Sequence, residues 1–277
     1  MTDRQIRPSL PGVALGLVCT LLLSACATTT SSTGRTQYVG AVSQQQLDQL
    51  GAQAFDQAKT QKPLTQDGRQ SSYVRCVVDA IAAQLPEGQR RNWQEAVFVD
   101  KNPNAFALPG GKVGVYTGLF DVAKNQDQMA AVIGHEIGHV LERHHDERIT
   151  RAYGAQAALT VAGLLTDARY GQGAAQSVTQ SGGLLLQTTF LLPGTRVQET
   201  EADIVGQRLM AQAGFDPRQA VNLWQNMIDA SKGARPPEWL STHPDPRARI
   251  GELQKRAEQL MPVYEQARAA GRKPNCG

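Results

Sequence analysis

The sequence predicts an α+β protein that is mostly helical, with a small sheet or hairpin packed against one helix. Apolar residues recur at helical spacing over almost all of the chain after Asp127, and three short extended stretches lie together between residues 95 and 117. The chain has 277 residues, 41% of them hydrophobic and 5% aromatic. This length and composition are typical of one large, rather helical globular domain.

Charge and hydropathy exclude two classes of protein. The net charge of +3 is small, and no run of Lys or Arg carries interleaved aromatic residues, so nucleic acid is not expected as a partner. The longest apolar runs stay below the roughly 18 residues that a membrane span needs. A multi-span membrane protein is therefore excluded.

Residues 1–25 have the features of an export signal. Two arginines precede the apolar stretch 10–23, which is short for a membrane span. The sequence Leu23-Ser24-Ala25-Cys26 resembles the bacterial lipobox, so Cys26 is expected to become the lipidated first residue of the mature protein. A plain secretory signal, cleaved at a small-x-small site, is the alternative.

The segment that follows the signal is expected to link an anchor to a folded domain. Residues 26–42 are rich in Ser and Thr and predict a flexible tether. Ala27 follows the lipid site in place of Asp, which by resemblance to Gram-negative lipoproteins favours the periplasmic face of the outer membrane. Acyl chains on Cys26 would bind the lipid bilayer there. Cys76 and Cys276 form a disulfide bond or remain two unrelated thiols, and an oxidising compartment favours the bond.

A single domain is predicted over residues 43–277. Hydrophobic periodicity predicts helices over 43–60, 67–85, 127–147, 148–166, 174–191, 195–213, 217–230 and 246–270. Strands are predicted over 95–100, 104–108 and 112–117. Gly214 stands where a helix-ending glycine belongs, and Asp216-Pro217 and Asp245-Pro246 are good helix starts.

The motif His135-Glu136-Ile137-Gly138-His139 carries the chemistry. Residues four apart lie on one helix face, so His135 and His139 can bind one Zn²⁺ together. Glu136 points about 100° away from His135, which places its carboxylate beside the metal as a general base. Gly138 leaves room for another element to approach. A chance occurrence of this motif on a surface helix is the alternative.

A third protein ligand is expected from the segment that contains Glu199, Glu201 and Asp203. Glu199 and Asp203 are four apart and share a face, so Glu199 can bind the metal while Asp203 accepts a hydrogen bond from a ligand histidine. Glu201 faces the opposite way and is expected to form a salt bridge. A charged, solvated helix face is the competing interpretation.

Three more histidines lie outside the motif. His243 stands in a turn-like Thr-His-Pro-Asp-Pro segment that leaves it free to reach a site. His144 and His145 lie more than a turn beyond His139, and His144 points about 180° away from His135 on a continuous helix. Both are expected to be solvated cations at the end of a helix.

Four ordered motifs together resemble one known family. The motifs are HEIGH, ETEAD, NAFALPGG followed by VYTGL, and THPDPRAR. They resemble the zinc metallopeptidases of the HtpX and CAAX-prenyl-protease type, and most of all their periplasmic lipoprotein branch, which is LoiP-like and also similar to BepA. The resemblance covers roughly residues 70–255. It implies a gluzincin-like fold in which the small sheet packs against the HExxH helix.

The resemblance also assigns roles. It implies that His135, His139 and Glu199 bind one zinc ion and that Glu136 is the general base. Asp203 matches an Asp that supports the site, His243 matches a His that can approach the zinc as a fourth ligand, and Arg249 matches an Arg near the site. An extended strand near the metal could pair with a peptide substrate. His243 or Arg249 is expected to stabilise the oxyanion.

The sequence therefore predicts a zinc-dependent endopeptidase of the bacterial periplasm, anchored to the outer membrane and acting in quality control of envelope proteins. Misfolded or outer-membrane proteins are the expected substrates. Two alternatives stay open. One is a chaperone-like scaffolding lipoprotein that binds outer-membrane clients with little proteolysis, and the other is a zinc hydrolase that does not act on proteins.

Overall fold

The computed structural model describes residues 27–90, 93–170, 195–231, 242–243 and 246–277. Its strands are β1 (Ala27–Thr30), β2 (Thr36–Val39), β3 (Gln94–Phe98), β4 (Ala105–Leu108) and β5 (Lys112–Tyr116). Its helices are α1 (Gln44–Gln61), α2 (Gly68–Ala82), α3 (Gln126–Leu141), α4 (His144–Tyr170), α5 (Arg196–Ala213), α6 (Gln219–Ala230) and α7 (Pro246–Ala269). The expected signal at 1–25, Cys26 and the predicted helix 174–191 lie outside the described residues.

Side-chain caps explain where several helices begin and end. Ser43 and Gln46 form a capping box at the start of α1, and Thr195 and Gln198 form another at the start of α5. Gly214 ends α5 with a φ of 89°, which is the left-handed conformation that glycine adopts without strain. These bounds lie within a few residues of the predicted ones.

A three-stranded sheet lies beside the helices in the order β3-β5-β4. Strands β3 and β5 are parallel, and β4 pairs with β5 in an antiparallel hairpin closed by Pro109-Gly110-Gly111. Both glycines of this turn have positive φ, at 77° and 73°. Strand β4 lies at the edge of the sheet and contacts α3. The prediction of a mostly helical chain with a small sheet against the HExxH helix is confirmed.

Helix α3 runs through the centre of the hydrophobic core. Its apolar residues Met129, Val132, Ile133 and Ile137 are fully buried. They belong to a cluster that also takes in buried residues of α2, β5, α5 and α6. Burial on all sides of α3 places the two histidines of the motif inside the protein, which is unlike the position of a chance motif on a surface helix.

The expected helix over 127–147 is in fact two helices. Helix α3 ends at Leu141, and Arg143 has a φ of 54°, which breaks the helical path before α4 begins at His144. A left-handed residue changes the direction of the chain. The direction of His144 therefore cannot be extrapolated from α3.

The expected flexible tether over 26–42 is also wrong for most of its length. Strands β1 and β2 pair in register from Ala27↔Val39 to Thr30↔Thr36, and β2 contacts α4. Gln37 and Val39 are buried. We call residues 27–39 the N-terminal hairpin.

The two cysteines of the folded domain form a disulfide bond. Cys76 in α2 is joined to Cys276 in the C-terminal tail, across a sequence separation of 200 residues. Gln126 at the start of α3 also holds the tail, through Pro274 O and Cys276 N. Among the described residues, none of the helices combines the length and the apolar character that crossing a bilayer requires.

Candidate metal centre

The two helices that carry the candidate ligands cross with their backbones in contact. Among the elements that the structure describes, helices α3 and α5 form the most extensive contact. A Cβ at Gly138 would lie 2.7 Å from Ala202 O, and a Cβ at Gly206 would lie 2.6 Å from Gly134 C. Side chains larger than hydrogen at these positions would separate the helices. The expectation that Gly138 permits close approach of another element is confirmed.

This crossing brings four potential ligands together. His135, His139, Glu199 and His243 are all buried, and one ligand atom of each lies within 4.8 Å of those of the others. Nε2 of His135 and Nε2 of His139 are 3.1 Å apart. Glu199 lies 3.4 Å from the former nitrogen through Oε2 and 3.5 Å from the latter through Oε1. The spacing within each helix and the crossing of the two helices thus produce one buried cluster.

Asp203 and Arg249 support the His135 side of the cluster. Asp203 Oδ1 lies 3.0 Å from His135 Nδ1. Burial alone would raise the pKa of Asp203, but Arg249 and His135 outweigh this and hold the pKa below its usual range. Burial alone would lower the pKa of His135, but the hydrogen bonds to Asp203 and Glu199 raise it to about 9. The local charge of the site therefore favours a cation.

His144 supports the His139 side. Its Nδ1 lies 2.8 Å from His139 Nδ1, and its Nε2 lies 2.9 Å from Glu201 Oε2. Burial lowers the pKa of His139 well below its ordinary value, and it lowers the pKa of His144 despite Glu201. Both rings are accordingly neutral near pH 7, which is the form in which an imidazole binds a metal.

The donor set fits a divalent metal ion. Glu199 Oε1 is buried and accepts no hydrogen bond from any residue that the structure describes. Burial alone would raise the pKa of Glu199, but His243, His135 and Arg249 lower it, so the carboxylate is ionised. A buried carboxylate oxygen without a donor, facing two imidazole nitrogens, is what a cation would satisfy. The residues present thus match two nitrogen ligands and one oxygen ligand.

Glu136 and His243 face the same cluster. Glu136 is 5% exposed, and its Oε1 lies 3.3 Å from His243 Nε2. The His243 ring centroid lies 5.0 Å from that of His135 and 5.5 Å from that of His139. Burial lowers the pKa of His243. The structure therefore places His243 at the site that the sequence left it free to reach.

Arg249 does not have the position expected of an oxyanion-binding residue. Its Nε and Nη2 donate to the two oxygens of Asp203 at 2.7 and 2.6 Å, and its Nη1 donates to Glu199 at 2.9 Å. The guanidinium also stacks on Trp224, 4.1 Å from the ring centroid. Because all of its nitrogens face these carboxylates, Arg249 fixes the acidic side chains and is not turned towards a substrate.

The interpretation of His144 and His145 as solvated cations is wrong. The two side chains are 0% and 6% exposed. The break at Arg143 starts a new helix, so His144 turns back towards His139 and away from solvent. The expected salt bridge of Glu201 is confirmed, because its carboxylate forms an ion pair with Arg35 at 2.8 Å.

Sequence reasoning missed Arg35 altogether. It lies in the loop between β1 and β2 and bridges the buried carboxylates of Glu147 and Glu201 at 2.7 and 2.8 Å. The available signal was a basic residue within an otherwise uncharged Ser- and Thr-rich segment. That signal is weak without knowledge of the carboxylates that Arg35 meets.

The sequence pattern described as peptidase family M48 matches residues 68–257. The chain belongs to peptidase family M48. Peptidases of this family depend on a metal, and the matched segment contains the metal-site cluster described above.

Three relatives illustrate the range of similar proteins. The chain is 41% identical over 169 residues to the mitochondrial metalloendopeptidase OMA1 of Schizosaccharomyces pombe, which covers 58% of this chain and 46% of the relative. It is 29% identical over 248 residues to the beta-barrel assembly-enhancing protease of Escherichia coli, and the match covers 86% of this chain and 48% of that relative. It is 31% identical over 212 residues to the protease of the same name from Yersinia pestis, and the match covers 74% of this chain and 43% of that relative. The chain thus spans less than half the length of these relatives.

Proposed function

We propose that the protein is a zinc-dependent endopeptidase of the gluzincin type. The observation that supports this most directly is the buried convergence of His135, His139 and Glu199, with Glu136 beside them. Two imidazole nitrogens and one carboxylate oxygen are the ligand set of catalytic zinc in many peptidases. When bound, Zn²⁺ would supply a Lewis acid that polarises the scissile carbonyl and makes water a nucleophile at neutral pH.

Glu136 is the residue that moves protons in this proposal. It neighbours the ligand His135 in the chain but projects from a different direction on α3, so its carboxylate is available as a base. It accepts a proton from the attacking water and delivers that proton to the leaving amine. Its burial at 5% exposure keeps bulk water from competing for the carboxylate.

The edge strand β4 is the proposed binding place for the substrate backbone. It lies at the border of the sheet and contacts the helix that carries Glu136. An extended peptide can pair with such an edge through main-chain hydrogen bonds. Because main-chain hydrogen bonds supply the affinity in this mode, it suits a protease that binds unfolded segments.

His243 is proposed to control access to the site. Its ring is buried within the ligand cluster, and its Nε2 lies 3.3 Å from the proposed base Glu136. A peptide and its attacking water need the space that this ring fills. His243 therefore holds a resting state, and its segment must move before cleavage.

The cell envelope of a Gram-negative bacterium is the proposed location, with Cys26 acylated and held in the outer membrane. The lipobox-like Leu23-Ser24-Ala25-Cys26 supports this, and so does the disulfide bond between Cys76 and Cys276, since disulfides persist in oxidising compartments. The beta-barrel assembly-enhancing proteases are relatives from bacteria, whereas OMA1 is named mitochondrial. We propose misfolded and outer-membrane proteins as substrates.

A comparison of wild type with Glu136→Gln tests the function. Both proteins are incubated with casein and with an unfolded outer-membrane protein, with and without a chelator, and fragments are identified by mass. We expect wild type to cleave only without the chelator, and Glu136→Gln to retain zinc but lose about 100-fold or more of the rate. Glu252→Gln, an exposed change on α7, is the matched control and should cleave normally.

Two outcomes would contradict the proposal. Cleavage by Glu136→Gln at the wild-type rate would remove Glu136 from the mechanism. Client binding by zinc-loaded wild type without any fragments would instead favour the chaperone-like scaffold.

A further inference from the structure

A continuous chain of polar contacts leads from the N-terminal hairpin to the proposed metal ligand His139. Arg35 Nε and Nη2 donate to Glu201 Oε1 and Oε2, at 3.0 and 2.8 Å. Glu201 Oε2 lies 2.9 Å from His144 Nε2, and His144 Nδ1 lies 2.8 Å from His139 Nδ1. The proposed reaction steps use none of the first three residues.

The positions of the protons along this chain follow from its carboxylate end. An ionised carboxylate only accepts hydrogen bonds, so Nε2 of His144 donates to Glu201. The two Nδ1 atoms of His144 and His139 share one hydrogen. His139 Nε2 faces the other candidate ligands, so a metal bound there would leave the ring hydrogen on Nδ1, with His139 Nδ1 donating and His144 Nδ1 accepting. His139 then presents the Nε2 lone pair to the cluster, which is the tautomer that a metal needs.

The N-terminal hairpin holds the carboxylate in place. Besides the two nitrogens of Arg35, Thr33 Oγ1 donates to Glu201 Oε1 at 2.8 Å. Glu201 is 0% exposed, and the Arg35 side chain is 23% exposed. With His144, these donors fill the acceptor positions of a carboxylate. Without the hairpin, Glu201 would keep the hydrogen bond from His144 but lose those from Arg35 and Thr33.

The hairpin also docks at the break between α3 and α4. Gln37 Nε2 donates to Glu142 O at 2.7 Å, which satisfies a carbonyl at the end of α3. Ser32 N donates to Glu142 Oε2, and Gly40, the residue directly after the hairpin, donates from its N to Asp146 Oδ1, both at 2.9 Å. His144 lies between these two anchor residues. The position of the hairpin and the position of His144 are therefore linked.

We propose that Arg35 and Glu201, acting through His144, orient the ring of His139 for metal binding, so that the N-terminal hairpin is a working part of the metal centre. Arg35, Glu201 and His144 are positioning residues that act through the ligand. This inference rests on the proposed metal centre and extends that centre to the N-terminal hairpin. The hairpin lies outside the family pattern, which matches residues 68–257.

The test measures zinc binding by competition with a chelator, for wild type and for Arg35→Gln, Glu201→Gln and His144→Phe. Loss of a residue that orients a ligand typically weakens metal affinity by about 10- to 100-fold, and we expect a loss in this range for each variant. The double variant Arg35→Gln/Glu201→Gln should lose no more zinc affinity than the weaker-binding of the two single variants, because both residues act through the same series of hydrogen bonds.

Arg151→Gln is the matched control. Arg151 donates to Glu147 Oε1 at 2.6 Å, so this change removes a guanidinium from the same carboxylate that Arg35 contacts, but it leaves the pairing of Arg35 with Glu201 in place. Urea unfolding of the metal-free proteins separates lost stability from lost affinity. Arg35→Lys, which keeps the charge but not the two-pronged contact, should bind zinc with intermediate affinity and serves if Arg35→Gln does not fold.

A second measurement reports on the ring itself. In zinc-loaded protein labelled with ¹⁵N-histidine, the Nδ1 proton of His139 should exchange slowly with solvent in wild type and in Arg151→Gln. It should exchange faster in His144→Phe and Glu201→Gln. A general loss of stability would not single out this proton.

The outcomes separate this inference from the proposed function. If His139→Ala binds zinc as tightly as wild type, the metal centre itself is wrong. If His139→Ala loses zinc while Arg35→Gln, Glu201→Gln and His144→Phe bind it as tightly as Arg151→Gln, only the inference about the hairpin is overturned.

Discussion

Replacing Gly206 with Ala should disrupt the metal centre from a distance. The new Cβ would lie 2.6 Å from Gly134 C and 2.6 Å from His135 N. Nonbonded carbon atoms prefer separations of about 3.5–4.0 Å, so α3 and α5 would have to move apart by roughly 1 Å. Both contacted atoms are backbone atoms, and rotation of a side chain cannot relieve the clash.

The expected size of the effect follows from this geometry. Overpacking costs about 3 kcal/mol at the upper end of its usual range, and the better helix propensity of Ala returns up to about 1 kcal/mol. We therefore expect the free energy of unfolding to fall by about 2 kcal/mol. The same displacement separates His135 on α3 from Glu199 on α5, and a misplacement of 1 Å can reduce a catalytic rate by about 100-fold.

Urea unfolding, zinc competition and casein cleavage measure these three effects. The control is Gly251→Ala on α7, where a Cβ has no neighbouring atom within 4 Å. That change should leave zinc binding intact and stabilise the protein by about 0.5–1 kcal/mol. If Gly206→Ala unfolds and binds zinc as wild type does, the close backbone crossing does not build the site.

Three further changes test other parts of the structure. Burial alone would raise the pKa of Glu147, but Arg35 and Gln198 lower it below 4.5, so its stabilisation is present above pH 4.5 and lost on further acidification. When the pH is lowered below 4.5, the unfolding free energy of Glu147→Gln, measured by urea titration, should therefore fall less than that of wild type. An equal fall in both proteins would contradict this. Cys76→Ser should lower the unfolding free energy by about 2–5 kcal/mol in urea without reductant. Wild type treated with reductant should have the same unfolding free energy as Cys76→Ser. His243→Ala should change the cleavage rate of zinc-loaded protein in either direction, by opening the resting state or by removing a contact in the transition state, and an unchanged rate would reduce His243 to a structural residue.

The parts of the site that could be predicted from sequence depend on spacing along single helices. His135 and His139 lie four apart on α3, and Glu199 and Asp203 lie four apart on α5, so helical geometry alone gave their shared faces. Gly138 indicates a close approach of another element, although the sequence does not say which one. Capping and turn residues likewise gave most element boundaries to within a few residues.

The errors come from contacts between distant residues. A non-glycine residue rarely adopts positive φ, so nothing local predicted the break at Arg143 that turns His144 inward. The N-terminal hairpin is held by Arg35 contacts to Glu147 and Glu201, which are 112 and 166 positions away. A Ser- and Thr-rich segment reads as flexible when only its composition is considered, and tertiary ion pairs override that tendency here.

The fold of the N-terminal hairpin bears on the lipid anchor that we propose at Cys26. Residues 26–42, if extended, would span about 60 Å. Instead β1 begins at Ala27, and the chain doubles back on itself by Val39. If Cys26 is acylated as proposed, only a few residues would separate the lipid headgroups from the peptidase domain, and its substrates would be polypeptides at the lipid surface and not those free in the periplasm.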